Sequence, residues 1–240
     1  MPTSDKPQRL LGLIGGISWE STTHYYQLLN RMARERLGGQ HSARLLLWSV
    51  DFAPLARKQE EGRWDELTVE MIDAARRLEG AGAAALLICA NTMHLMADDV
   101  AAAISVPLIH IADATAAAIK KSRARKPLLL ATRFTMEKPF YRDRLARDGV
   151  EAVVPEAEDR ARLHAIIFEE LVQGQFRPES RQVLLDLFEK ERGPRGVDSV
   201  ILGCTEFGML APPKYFPVPA FDTAEVHAAA AMDFALGPAS

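Results

Sequence analysis

The sequence has few cysteines and no long apolar run, and these absences exclude several classes of protein. Cys89 and Cys204 are the only cysteines among 240 residues, too few for a disulfide scaffold or a four-cysteine zinc site. No stretch of about 18 apolar residues is present, so no transmembrane helix is predicted. The first six residues are MPTSDK and lack the apolar core of a secretory signal. We therefore expect a cytoplasmic protein, since free thiols persist in a reducing compartment.

The chain also lacks a strong excess of either charge. Lys and Arg total 29 and Asp and Glu total 32, which gives a formal net charge of −3. A nucleic-acid-binding protein needs a basic face, so neither nucleic acid nor a membrane is expected as a partner. With 48% hydrophobic and 25% charged residues, the composition is that of a globular protein. The length allows one large domain or two domains of about 100 residues.

Apolar runs of strand length alternate with segments of helical period. Strands are predicted at residues 10–14, 45–49, 84–89, 107–111, 128–131, 152–154, 199–202 and 218–221. Helices are predicted at residues 19–36, 64–79, 93–103, 113–121, 138–147, 159–173, 179–191 and 224–236. Most strand candidates are continuously apolar, which is typical of parallel strands covered on both faces. The pattern therefore predicts an α/β fold with parallel sheets.

A weak internal repeat divides the chain into two halves. Residues 84–92 and residues 198–205 each contain an apolar strand, then small residues, then a polar helix start, and Ala90 corresponds to Cys204. The repeat predicts two pseudo-symmetric α/β domains, one formed by residues 1–110 plus 216–240 and the other by residues 111–215. Ligands bind at the carboxyl ends of parallel strands, so we expect the active site in the interdomain cleft.

A glycine-rich turn, GLIGGIS at residues 12–18, follows the first predicted strand. A turn of this kind that opens a helix can cradle phosphate through backbone N–H groups. The spacing differs from GxGxxG, however, and no Lys-Ser/Thr pair follows as in a P-loop. We interpret the segment as a tight strand-to-helix turn, which could still offer N–H groups to a substrate carboxylate.

The two cysteines occupy different positions relative to their strands. Cys204 ends a predicted strand and starts a short helix, where the helix dipole lowers a thiol pKa from about 8.5 and favours the thiolate. A small buried core cysteine is the alternative, and position alone does not decide. Cys89 precedes Ala90, and successive strand residues point to opposite faces, so Cys89 is interpreted as a core residue. Asn91 and Thr92 suit a helix N-cap and could equally bind a carboxylate.

The remaining polar residues give weaker signals. The six histidines lack metal-ligand spacing, so no metal site is predicted. His94 is interpreted as a helix-face residue. Arg160 and Arg162 open a predicted helix that is apolar on one side. Solvated charge is the default interpretation for them, and anion binding is the alternative.

Five motifs together resemble one family. They are GGISWEST at residues 15–22, SVDF at 49–52, NTMH at 91–94, ATRFTM at 131–136 and GCTE at 203–206. In this order they resemble the aspartate/glutamate racemase superfamily, most closely its branch that opens with GGxSWEST. The resemblance implies two pseudo-symmetric α/β domains, no pyridoxal phosphate or other cofactor, no metal, and a homodimer. The implied partner is a small-molecule substrate, an acidic amino acid or a related carboxylate.

The resemblance also implies a mechanism and one departure from it. A typical member racemises with two cysteines on opposite faces of the α-carbon, one directly before Asn-Thr and one in Gly-Cys-Thr. Cys204 matches the second, whereas Ala90 stands in the position of the missing first cysteine. The expected activity is racemisation of aspartate or glutamate by thiol acid/base transfer through Cys204. The second proton would come from water, a shifted Cys89, or a hydroxyl such as Thr92 or Thr135.

By the same resemblance, a set of further residues would bind the substrate. They are Ile17, Ser18, Gln59, Asn91, Thr92, Thr135, Arg162 and Thr205. Arg162 would hold the distal carboxylate, with Arg160 as its alternative. Two other functions remain open: a single-cysteine decarboxylase or isomerase of the same fold, and a non-catalytic carboxylate-binding protein.

Overall fold

The structure, a computed structural model, describes residues 7–237. Residues 1–6, in which no secretory signal is predicted, lie outside the described residues. The described chain divides into two compact units, one ending at His110 and resuming at His227, the other spanning Ile111–Val226. Each unit contains one three-stranded parallel sheet. The predicted α/β class with two parallel sheets is confirmed.

The first sheet contains strands β1 (Leu11–Gly15), β2 (Leu45–Ser49) and β3 (Ala85–Ile88), in the order β2-β1-β3. Strands β1 and β3 are buried along their whole length, whereas β2 is partly exposed at the sheet edge. A single parallel bridge joins Leu86 to Leu108 on the far side of β3. The strand predicted at residues 107–111 is therefore wrong: only this bridge forms, and Ile111 already begins a helix.

The second sheet contains β4 (Pro127–Ala131), β5 (Ser199–Gly203) and β6 (Ala220–Asp222), in the order β4-β5-β6. A single bridge joins Leu128 to Val153 beside β4, and it replaces the strand predicted at residues 152–154. If each bridge is counted as a strand and the strands of each unit are numbered in chain order, both sheets have the same spatial order, 2-1-3-4. The repeat seen in the sequence thus corresponds to a repeat in strand order.

Helices connect the strands, as parallel pairing requires. They are α1 (Trp19–Leu37), α2 (Phe52–Glu60), α3 (Trp64–Gly80), α4 (Ala97–Ala102), α5 (Ile111–Lys121), α6 (Arg133–Glu137), α7 (Pro139–Arg147), α8 (Ala157–Glu169), α9 (Pro178–Arg195), α10 (Thr205–Leu210) and α11 (Thr223–Leu236). Short 3₁₀ turns cover Thr92–Met96, Leu171–Gln173 and Pro213–Tyr215. The helix predicted at residues 93–103 is thus divided into a 3₁₀ turn and α4.

The chain returns to the first unit later than the sequence predicts. The expected boundary assigned residues 216–240 to the first domain. In the structure β6 pairs with β5, so the segment up to Val226 belongs to the second unit. Asp222 ends β6 and caps the next helix, because its carboxylate accepts hydrogen bonds from the N–H groups of Ala224 and Glu225. Only the part of α11 from His227 onward belongs to the first unit.

Candidate active site

The turn after β1 is fixed by hydrogen bonds within the first unit. Gly16 and Ser18 both have positive φ, and a Cβ on Gly16 would lie 2.2 Å from the Val50 carbonyl oxygen. The Gly16 N–H donates to the Thr22 hydroxyl (2.8 Å), which in turn donates to the Ser18 carbonyl (3.1 Å). The Ser18 side chain accepts from the Ser21 N–H as the cap of α1. Since Thr22 occupies the Gly16 N–H, this geometry favours a tight turn over a phosphate cradle.

Cys89 and Ala90, which follow β3, differ in their exposure to solvent. Cys89 is fully buried, and its N–H donates to the Ile14 carbonyl (2.9 Å) as a continuation of the ladder. Burial raises the pKa of the Cys89 thiol well above its ordinary value, because the thiolate would lose its hydration. Ala90 is only half-buried. Of the two positions, residue 90 is the one that solvent reaches.

Two polar residues follow Ala90, and the Met93 after them contacts α2. Asn91 and Thr92 are buried and lead into the 3₁₀ turn Thr92–Met96. The Gln59 side chain, also buried, lies 3.2 Å from the Met93 sulfur through its Nε2. Strands β1 and β3 are parallel neighbours, so their carboxyl ends meet at one edge of the sheet. Of the predicted site residues, this edge carries Ile17, Ser18, Ala90, Asn91 and Thr92, with Gln59 beside Met93.

A buried histidine, His227, connects α11 to α1 and to the segment before α5. Its Nε2 lies 2.7 Å from the Ile109 carbonyl oxygen, and its Nδ1 lies 2.8 Å from the Tyr25 hydroxyl. The carbonyl can only accept, so Nε2 carries the hydrogen and Nδ1 accepts from Tyr25. Burial lowers the pKa of His227 to about 4. This histidine is therefore neutral at pH 7.

Two more buried histidines lie beside His227. The His94 ring is 4.6 Å from the His110 ring and 5.7 Å from the His227 ring, measured between centroids. His94 Nδ1 lies 2.9 Å from the Ala90 carbonyl oxygen. His94 was interpreted as a helix-face residue, but it is buried in the 3₁₀ turn. No sequence signal pointed to this histidine cluster, because its members come from three separate parts of the chain.

In the second unit, Thr132 and Thr135 follow β4. The Thr132 hydroxyl accepts from the Thr135 N–H (3.2 Å) and so caps α6. The two hydroxyl oxygens are 3.1 Å apart, and Thr135 is fully buried. Because β4 and β5 are parallel neighbours, these threonines share a sheet edge with Cys204 and Thr205.

Cys204 follows β5 at the start of α10, with 7% of its surface exposed. Its Sγ lies 3.1 Å from Oε2 of Glu206, to which the thiol donates. Glu206 is only 3% exposed. Its other oxygen, Oε1, has no hydrogen-bond partner among the described residues.

Of the two alternatives for Cys204, the raised pKa of its thiol favours the buried, protonated one. Burial raises the pKa of the thiol well above its ordinary value, and the Glu206 carboxylate raises it further by repulsion and by accepting the thiol hydrogen. The backbone N–H groups of Glu206 and Phe207 act in the opposite direction but do not prevail. The helix N-terminus does favour a thiolate, but desolvation and an adjacent carboxylate outweigh it.

The two arginine candidates differ in their surroundings. Arg160 donates to Glu137 Oε1 (3.0 Å) and to the Pro155 carbonyl (2.8 Å). Arg162 is exposed on α8. Arg160 therefore already has two hydrogen-bond partners, whereas Arg162 faces solvent.

Residues 7–237 lack two features that mark other classes of protein, a metal-binding cluster and a membrane-spanning helix. No group of three or more His, Cys, Asp or Glu side chains in this part of the chain is arranged to hold a metal ion. None of the helices described there combines the length and apolar character needed to cross a bilayer.

The sequence model described as Asp/Glu/Hydantoin racemase matches residues 14–231, and the chain belongs to this family of isomerases. A Yersinia pestis protein whose structure is named after the Asp/Glu racemases is 44% identical, with a TM-score of 0.86 over 95% of this chain and 99% of that one. An aspartate racemase homologue from Pyrococcus horikoshii OT3 is 38% identical, with a TM-score of 0.79 over 94% and 98%.

A curated relative is more distant. The broad specificity amino-acid racemase RacX of Bacillus subtilis (strain 168) is 24% identical over 147 residues, which is 60% of this chain. The match spans 63% of the length of that relative. The family membership therefore rests on the family match and the two structural neighbours.

Proposed function

We propose that the protein is a cofactor-independent racemase of aspartate or glutamate in which Cys204 exchanges a proton at the α-carbon. The observation that carries the proposal is Cys204 itself, a protonated thiol at the carboxyl end of β5 in a chain of this family. The names of the Pyrococcus and Yersinia neighbours support an acidic amino acid as substrate.

The second proton must come from a group other than a cysteine at position 90. Ala90 provides no acid/base group there, and the burial of Cys89 argues against a shifted thiol. A water molecule, or the hydroxyl of Thr92 or Thr135, is left for this role. We propose that the substrate is held by Ile17, Ser18, Gln59, Asn91, Thr92, Thr135, Arg162 and Thr205.

Proton exchange in D₂O tests the racemase directly. L-Aspartate, L-glutamate and their D-isomers are incubated with the enzyme, and α-deuteration and isomer formation are followed by NMR and chiral chromatography. Cys204→Ser should abolish both, whereas Cys89→Ser, the matched control at the other cysteine, should leave both near the parent rate. The absence of exchange with every acidic amino acid at high enzyme concentration would sink the proposal.

A one-cysteine decarboxylase is the second candidate, favoured by the absence of a thiol at position 90. Loss of CO₂ from a disubstituted malonate leaves a carbanion that needs only one proton donor, which Cys204 provides. CO₂ release from such a malonate, without α-exchange of any amino acid, would replace the racemase by this activity.

We also propose a cytoplasmic homodimer formed through the edge strand β2. Strand β2 carries no charge to prevent edge pairing, and Leu47 and Trp48 are exposed on it. Trp19 and Tyr26 on α1 and Val69 on α3, in the same unit, are also exposed. Light scattering should give a dimer that Leu47→Lys converts to a monomer, and a monomeric parent chain would refute this assembly.

A further inference from the structure

The carboxylate of Glu206 is an unusual neighbour for a catalytic thiol. It lies two residues after Cys204, on the first turn of α10, and accepts the thiol hydrogen at 3.1 Å. Both side chains are buried, and Glu206 Oε1 has no partner among the residues that the structure describes. A buried carboxylate oxygen without a hydrogen-bond partner costs free energy, because nothing replaces the water that it loses on folding.

We propose that Glu206 is a positioning residue that exchanges a proton with Cys204 and, near neutral pH, carries that proton when Cys204 is a thiolate. The inference rests on the proposed function, since it concerns the same thiol. Its physical basis is charge: two adjacent negative groups in a desolvated site repel strongly, so the pair retains at least one proton.

The proton balance of the cycle follows from this rule. In the resting pair, the thiol proton moves along the hydrogen bond to Glu206 Oε2, which gives a thiolate beside a neutral carboxylic acid. The thiolate then takes the α-proton: the C–H bond breaks, an S–H bond forms, and the electron pair stays on the α-carbon. In the reverse direction the thiol returns its proton to the carbanion while the carboxyl group remains protonated. The pair thus alternates between one proton and two.

The test measures the protonation of the thiol without any substrate. In a Cys89→Ser chain, Cys204 is the only cysteine, so the pH dependence of iodoacetamide alkylation and of the ultraviolet thiolate absorbance reports on it alone. Glu206→Gln removes the carboxylate, and the midpoint of both profiles should fall by about one pH unit or more. Glu206→Asp keeps a carboxylate and should retain most of the high midpoint.

The matched control is Glu169→Gln, which removes an exposed carboxylate of the same unit on α8. It should leave the midpoint unchanged. Equal midpoints for the parent, Glu206→Gln and Glu169→Gln chains would overturn the inference. If Glu206→Gln does not fold, Glu206→Ala, which also removes the carboxylate, decides, because a carboxylate without influence predicts a midpoint identical to the parent's.

The racemase activity and the Cys204–Glu206 coupling can be refuted independently of each other. A chain that shows the pH shift but no amino-acid exchange retains the Cys204–Glu206 coupling and loses the racemase assignment. A chain that racemises with no shift retains the assignment and loses the coupling. In an active enzyme, Glu206→Gln should also move the pH profile of kcat, which a purely structural role would not do.

Discussion

Two buried groups should make the stability of this protein respond to acid in opposite ways. Burial raises the pKa of Asp222 from its ordinary 3.8 to about 6, although the N–H groups of Glu225 and Ala224 partly oppose it. Burial lowers the pKa of His227 from 6.5 to about 4. Each shift is worth about 3 kcal/mol, at about 1.4 kcal/mol per pKa unit.

The signs follow from which state binds the proton more tightly. Folded Asp222 binds its proton more tightly than the unfolded chain does, so its contribution to stability is lost as pH rises from about 4 to about 6. Folded His227 binds its proton less tightly, so stability is lost as pH falls from about 6.5 to about 4. Over this window the two contributions oppose each other and nearly cancel.

Asp222→Asn should expose the histidine contribution. Asparagine still accepts the N–H groups that Asp222 caps, but it carries no titrating charge. The variant should be more stable than the parent by up to about 3 kcal/mol at pH 7 and should lose this advantage as pH falls toward 4. Urea unfolding at a series of pH values measures the difference, with the exposed Asp143→Asn as control. A constant difference between Asp222→Asn and the parent at all pH values would refute the reasoning.

Further predictions concern packing, the first turn and the missing thiol. A Cβ on Gly208 would lie 2.0 Å from Asp222 Oδ2, so Gly208→Ala should lower the melting temperature measured by calorimetry. Gly193 is the matched control: a Cβ there would meet nothing within 4 Å, so Gly193→Ala should raise the melting temperature slightly. Thr22→Val removes the hydroxyl that pairs with the turn after β1 and should cost about 1–3 kcal/mol in urea unfolding. Ala90→Cys should increase the rate of α-proton exchange or widen the range of substrates in D₂O; an unchanged rate and range would show that no thiol is missing there.

Much of the fold follows from continuous apolar runs. The segments that become β1, β3, β4 and β5 are buried hydrophobic stretches with flanking glycines or helix starts, and a run of this kind is typical of a covered parallel strand. Residues 107–111 and 152–154 have similar composition but make one bridge each. Local pattern does not reveal whether a neighbouring strand continues alongside, so these two predictions failed.

In the candidate site, too, features that depend on neighbouring residues were predicted, whereas contacts between distant residues were not. The alternation of strand side chains predicted that Cys89 would lie in the core. Cys89 is fully buried, beside a half-buried Ala90. The sequence left the state of Cys204 open, because it shows the helix N-terminus beside the thiol but not the orientation of the Glu206 side chain. The histidine cluster was missed because Tyr25 and His227, which bond to each other, are 202 residues apart.

The path of the chain through the two units has a consequence for synthesis. The second unit is one continuous segment, Ile111–Val226, inserted between two parts of the first. A ribosome therefore releases every residue of the inserted unit before it releases His227, which bonds to Tyr25, and Asp233, which pairs with Arg36. The unit begun first is thus the last to be completed, and it waits for the final helix while its insertion is already free to fold.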